Sequence, residues 1–138
     1  KLRMTVLGEG EIKVIKGIEH LGLMAKDPEK LAQWYEEVLG FRVVYKTASV
    51  PPAFFIAGQE KGVIEIIPWE EGVSATKDKK THIAIEVDDF DGAVQRLKSA
   101  GVAVEEPLDI FAGGKVVFFR DIEDNVLHLV YRPEQIWV

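Results

Sequence analysis

Two segments of this chain follow one short pattern, and each places a histidine on the polar side of an apolar strand. In Thr81-His82-Ile83-Ala84-Ile85-Glu86-Val87, the side chains of Ile83, Ile85 and Val87 share one face at a period of two. His82, Ala84 and Glu86 then face the other way. Ile18-Glu19-His20-Leu21-Gly22-Leu23 has the same order, with Leu21 and Leu23 opposed to His20, Gly22 and Met24. Counting 45 residues on from His20 reaches Glu65, inside Gly62-Val63-Ile64-Glu65-Ile66-Ile67. Counting 46 on from His82 reaches His128, inside Val126-Leu127-His128-Leu129-Val130-Tyr131. The chain has three histidines, and all of them fall on this pattern. Such a chain is constrained to two similar halves.

The rest of each half agrees. Asp27-Pro28-Glu29-Lys30 carries helix-start signals: an Asp cap, Pro at the first helical position and an acid in the first turn. Leu31, Trp34, Tyr35, Val38 and Leu39 follow at helical spacing and Gly40 stops the helix, so Trp34 and Tyr35 are read as core. Arg42–Ala48 and Ala53–Ala57 are strand candidates separated by Pro51 and Pro52, and Gly62–Pro68 is a third. In the second half Asp89 caps a helix with Phe90, Val94 and Leu97 on one face and Gly101 as its stop. Strands are expected around Val102–Leu108, Lys115–Arg120 and Val126–Tyr131. The expected order is β-α-β-β-β twice. Module 1 spans about 17–70, a polar linker 71–80 and module 2 about 81–133, with 1–16 as an N-terminal extension forming a hairpin about Gly8-Glu9-Gly10 and 134–138 as a tail.

Composition narrows the class. At 138 residues and 47% hydrophobic content the chain can bury a substantial core. A net charge of -6 argues against a nucleic-acid backbone binder, and the basic cluster Lys77-Asp78-Lys79-Lys80 reads as a solvated linker. Without cysteine, neither disulfides nor thiolate metal sites are available. No apolar run reaches membrane-spanning length and no signal-peptide pattern is visible, so a cytoplasmic location is expected.

A single histidine in an apolar strand is ordinarily a satisfied core residue. Four ligand-type side chains at matched positions are a different matter, because imidazole nitrogen and a carboxylate together suit Zn, Ni, Co, Cu or Fe. Glu65 adds weight: a carboxylate between Ile64 and Ile66 needs a cation or a proton if it is buried. Met24, Val63, Ile67, Trp69, Ala84, Glu86 and Val130 share the same faces and are expected to line the cavity between the modules.

Ile18-Glu19-His20-Leu21-Gly22-Leu23, Trp34-Tyr35-Glu36-Glu37-Val38-Leu39-Gly40-Phe41, Thr81-His82-Ile83-Ala84-Ile85 and Phe118 through Leu129 together resemble the vicinal oxygen chelate superfamily: glyoxalase I, extradiol dioxygenases, methylmalonyl-CoA epimerase and the fosfomycin and bleomycin resistance proteins. The resemblance covers about residues 17 to 133. It implies an α+β fold in which two β-α-β-β-β modules form an open, barrel-like sheet around a metal cavity, and it implies a homodimer. Carried over by position, His20, Glu65, His82 and His128 are the four ligands of one divalent ion (Ni, Zn, Co, Mn or Fe). The implied activity is of glyoxalase type, acting on a small substrate with vicinal oxygens through a metal-stabilised enediolate, with Glu65 as ligand and base.

Three departures matter. The place of His128 usually holds Glu in glyoxalases. Met24 and Trp69 stand where bacterial glyoxalase I carries Arg and Asn for glutathione, which argues against that substrate. The turn before the last strand, usually Asp-Pro-Asp/Glu-Gly-Asn, is Asp121-Ile122-Glu123-Asp124-Asn125. An Fe(II) ring-cleaving dioxygenase, or a non-catalytic binding protein of the antibiotic-resistance kind, are the alternative readings.

Overall fold

The computed structural model describes residues 16, 18–72, 77, 79–135 and 137. Among them the two halves form two four-stranded sheets. The first has strands β1 (Leu21–Ala25), β2 (Arg42–Lys46), β3 (Phe54–Ala57) and β4 (Val63–Pro68), in the order β1-β4-β3-β2. The second has β5 (Ile83–Glu86), β6 (Leu108–Asp109), β7 (Lys115–Arg120) and β8 (Val126–Tyr131), in the order β5-β8-β7-β6. In each sheet the first and last strands pair in parallel, as β1 with β4 and β5 with β8, and the remaining pairs are antiparallel. The sheets stay open and do not close into a barrel within the chain.

The helices begin where their caps require. The Asp27 carboxylate accepts from the Lys30 amide at 3.1 Å, Pro28 occupies the first turn, and α1 (Pro28–Leu39) ends at Gly40 in the left-handed conformation at φ 72°. In α2 (Phe90–Ser99) Asp89 accepts from the Gly92 amide, Ala100 closes the helix and Gly101 follows at φ 80°. Tyr35 is fully buried, as its helical position predicts, while Trp34 is half-buried and packs against the core.

Both modules contribute to one contiguous core. Leu31, Tyr35, Ile56 and Ile66 from the first meet Leu97, Val117, Leu127 and Leu129 from the second. Polar contacts bind the halves further. The Tyr35 hydroxyl donates to Asp121 at 2.9 Å, and Asp121 also accepts from the amides of Glu123 and Asn125 and from the Asn125 side chain. Burial, then the Asp121 carboxylate, push the Tyr35 phenol well above the ordinary range. Glu123 reaches across to accept from the backbone amides of Lys26 and Asp27, both at 3.0 Å, and Arg96 of α2 donates to the Val38 carbonyl of α1.

Two expectations are revised, and the 121–125 turn is kept. The strand around Val102–Leu108 shrinks to Leu108–Asp109 plus one bridge between Val104 and Phe119, since Pro107 has no amide to offer a ladder and Glu105 and Glu106 are exposed. Lys77 and Lys79 are more than a solvated linker: Lys77 donates to the Glu123 carbonyl and to Asn125, and Lys79 pairs with Glu105. The turn variant at 121–125 holds Asp124 at φ 70°, the conformation that the usual Gly takes without strain. The N-terminal hairpin lies outside the described residues.

Candidate metal centre

His20 and His82 each stand one residue before a strand, at the mouths of β1 and β5. Their partners sit within strands. In module 1 the β1–β4 register sets Gly22 beside Glu65, and β3 sets Phe55 on the other side of it. In module 2 Ala84 lies beside His128, and Phe118 flanks it from β7. The two halves are built alike: a histidine, a small residue two positions on, a ligand-type residue across the parallel pair, and a phenyl ring ten positions before that ligand. The small residues leave room over the sheet, and a Cβ at Gly22 would come within 3.2 Å of Ile67.

The rings are held in place. Phe55 meets His20 edge-on with centroids 5.4 Å apart, and Phe118 does the same to His128 at 5.0 Å and to His82 at 5.9 Å. The two imidazoles of module 2 lie with centroids 4.5 Å apart. His82 donates from Nδ1 to the Lys79 carbonyl at 2.8 Å, and His128 from Nδ1 to the Leu129 carbonyl at 3.1 Å. A carbonyl only accepts, so each Nδ1 carries a proton and each neutral ring keeps a bare Nε2 lone pair. That tautomer, fixed by a backbone carbonyl, is the one that metal-binding histidines adopt. Burial, which outweighs the hydrogen bond to Leu129, and then the charges of His82 and Arg132 lower the pKa of His128. The ring is thereby kept in its ligating form.

Module 1 presents nitrogen and oxygen. His20 contacts Glu19 from Nδ1 at 2.9 Å, and its Nε2 lies 3.3 Å from Glu65 Oε1. With a proton on Nδ1 alone, Nε2 would turn a lone pair toward an anionic oxygen. A second ring proton, or a cation shared by the two atoms, removes that conflict. The donor chemistry of both pairs therefore fits a divalent ion.

The structure brings His20 to Glu65 and His82 to His128, and it does not bring the pairs together. Among the described residues, no group of three or more His, Asp or Glu side chains could hold an ion. The reason lies in the core: Ile64, Ile66, Leu127 and Leu129 point into the shared interior, so the alternating Glu65 and His128 point away from it on separate sheets. Of the expected cavity residues, Met24 is half-buried, Trp69 is exposed and Val130 is buried. Glu86 is exposed and pairs with Lys61 at 2.5 Å, which makes it a rim acid. A separate concavity of about 600 Å³, lined by Trp34, Val102, Val104, Phe119 and Ile122, lies away from the histidines. Sequence reasoning missed Phe55 and Phe118, although their matched spacing from Glu65 and His128 was available as a signal.

No helix among the described residues is long and apolar enough to cross a membrane. Comparison with known proteins agrees with the fold. The Listeria innocua fosfomycin resistance protein FosX is 26% identical over 122 residues, covering 84% of this chain and 90% of its own. A putative ring-cleaving dioxygenase of Bacillus subtilis, MhqE, is 27% identical over 126 residues, covering 83% of this chain, which spans 41% of that longer protein. The crystal structure of Listeria monocytogenes FosX complexed with Mn(II) and sulfate superposes with a TM-score of 0.68 at 20% identity, covering 86% of this chain and 92% of its own. The family described as the Glyoxalase/Bleomycin resistance protein/Dioxygenase superfamily matches residues 17–129. This chain therefore belongs to that superfamily, the vicinal oxygen chelate proteins.

Proposed function

We propose that this protein is a divalent-metal-dependent enzyme of the glyoxalase-like type, acting on a small substrate with vicinal oxygens, and that its site is completed between two copies of the chain. The His20–Glu65 pair of one copy faces the His82–His128 pair of the other. The observation that carries this reading is the arrangement of His82 and His128, side by side with both Nδ1 atoms committed to carbonyls. Two neighbouring lone pairs are half of a tetrahedral site or a third of an octahedral one, and the pair on the other copy adds one more nitrogen and an anionic oxygen. Both ligand faces point away from the chain's own core, and on the module 1 face Tyr45 and Ile67 are exposed. A second copy related by a twofold axis covers both faces at once.

A bound divalent ion would polarise paired substrate oxygens as a Lewis acid. The chain's own residues divide the remaining work. Glu65, three-quarters buried beside His20, is the base that takes a proton next to a carbonyl, and the imidazoles of His82 and His128 hold their lone pairs on the opposite side. Phe55 and Phe118 flank the ligands and orient their rings edge-on. Manganese in the FosX relative supports a hard or borderline divalent ion here.

Elemental mass spectrometry on untagged protein tests this without knowledge of the substrate. Wild type is expected to hold near-stoichiometric Mn, Ni, Zn or Co, while H20A/E65Q and H82A/H128A each lose it. Co-expressing those two variants pairs an intact half-site from each, and is expected to restore metal to about a quarter of the wild-type sites if partners associate at random. No restoration, with dimers present, removes the shared site. Iron as the resident metal redirects the search to oxygen chemistry, and absence of metal from reconstituted wild type favours a binding protein.

A further inference from the structure

The three histidines take their Nδ1 partners from different places. His128 donates to the Leu129 carbonyl, which the β8 ladder fixes, and His20 meets the carboxylate of its own neighbour, Glu19. His82 donates at 2.8 Å to the carbonyl of Lys79, which lies in a turn of the linker between the modules. Its Nε2 lone pair is therefore aimed only as well as that carbonyl is held. The Lys79 side chain is tied at its tip by two groups: the ammonium pairs with the Glu105 carboxylate and lies 5.0 Å from the centre of the Phe118 ring.

Both ties lead to the group that orients the ligands. The Glu105 amide donates to the Phe118 carbonyl at 3.0 Å, which fixes the acid beside β7, and the Phe118 ring is edge-on to His82 and to His128. Two residues before Lys79 the backbone is anchored as well. Arg120 donates to the Lys77 carbonyl at 3.1 Å, and the Lys77 ammonium donates to the Glu123 carbonyl and the Asn125 side chain. A half-exposed ion pair and a single cation–π contact stabilise a fold little by themselves. Their effect here is geometric, because together they restrain the turn whose carbonyl His82 uses.

We propose that Lys79 is a positioning residue for the metal centre: tied to Glu105 and to the Phe118 ring, it keeps its own carbonyl on His82 Nδ1, and so keeps the Nε2 lone pair of His82 available beside that of His128. This rests on the metal reading for its purpose and adds a residue that touches neither ion nor substrate. Without the tie the turn carries the carbonyl away, and His82 exchanges between its two neutral tautomers, one of which has its proton on the ligating nitrogen. His128 is unaffected, since its acceptor belongs to the ladder. The basic linker cluster thereby has a task at the site.

The test begins with the metal-free full-length protein, reading each imidazole's tautomer from its nitrogen NMR shifts at about pH 8.5, where an ordinary histidine is neutral. Wild type is expected to show His82 protonated on Nδ1. In K79M, which keeps the length of the side chain but not its charge, the His82 shifts are expected to move to those of a tautomer mixture while the His128 shifts stay put, which also shows that the fold is intact. K79R retains a cation for both ties and is expected to restore the wild-type spectrum. Zn(II) affinity by chelator competition is then expected to fall about tenfold in K79M and to stay within a few-fold of wild type in K79R. A wild-type His82 protonated on Nε2 overturns the proposal. So does a K79M spectrum identical to wild type, a K79R as altered as K79M, or an unchanged Zn(II) affinity in a K79M whose tautomer has shifted. A shifted tautomer in K79M, restored in K79R, with no metal bound by wild type, supports the tie and removes the metal reading alone.

Discussion

Phe118 lies directly across the β7–β8 ladder from His128, its ring edge-on to the imidazole at 5.0 Å, and the same phenyl ring also meets His82. One side chain thus sets the orientation of both nitrogen donors in module 2. Replacing it with alanine leaves each histidine its carbonyl hydrogen bond but frees the rings to tilt. Loss of such outer support typically weakens metal binding about 10- to 100-fold. F118A is expected to show that range in a competitive chelator titration, while F118Y stays within a few-fold of wild type. An unchanged affinity in F118A would mean that the carbonyls alone orient the rings.

The lowered pKa of His128 makes the metal-free protein sensitive to acid. Burial is the main cause, so the folded ring binds protons less readily than the unfolded one, whose pKa is near 6.5. The unfolded state takes up more protons in the window below that value, and folding stability therefore falls as pH drops through it. Above about pH 7 the contribution is complete. Urea denaturation of metal-free protein between pH 7.5 and 5 is expected to show this decline, and H128N to show a shallower one.

Tyr35 and Asp121 form a buried hydrogen bond between the modules. Y35F removes the donor and keeps the ring, and Asp121 retains three other donors, so no carboxylate is stranded. The expected loss is about 1–2 kcal/mol by chemical denaturation. A loss several times larger would show that the phenol organises the 121–125 turn as a whole.

Asp124 holds a left-handed conformation at φ 70°, and its side chain makes no hydrogen bond among the described residues. Glycine takes that conformation without penalty, offset in part by the greater freedom of its unfolded chain. D124G is expected to stabilise the protein by about 0.5–1 kcal/mol, read as a raised denaturation midpoint with an unchanged slope.

Much of this architecture was legible locally. Asp27, Pro28 and Gly40 mark α1 because capping depends on neighbours in sequence, and the alternation around Glu65 and His128 separates core from site at a period of two. The separation of the two ligand pairs was not legible, because it depends on both sheets turning their Ile64 and Leu127 faces into one interior. The cross-module contact of Glu123 was not legible for a similar reason: the amides it accepts from lie far along the chain from it. Phe55 and Phe118 looked like further members of apolar runs, and only the ladder shows which face they occupy.

The reach of Glu123 back to the amides at the start of α1 bears on how freely the two halves could ever part company. Asp27 caps α1 from within its own module, whereas the amides of Lys26 and Asp27 just before the helix take their acceptor from the other half. The entrance to the first module's helix thus depends on a residue of the second. Separately expressed fragments ending and beginning within the linker should accumulate as insoluble material, and produced together they should reassemble into a soluble heterodimer, less readily when one of them carries E123A.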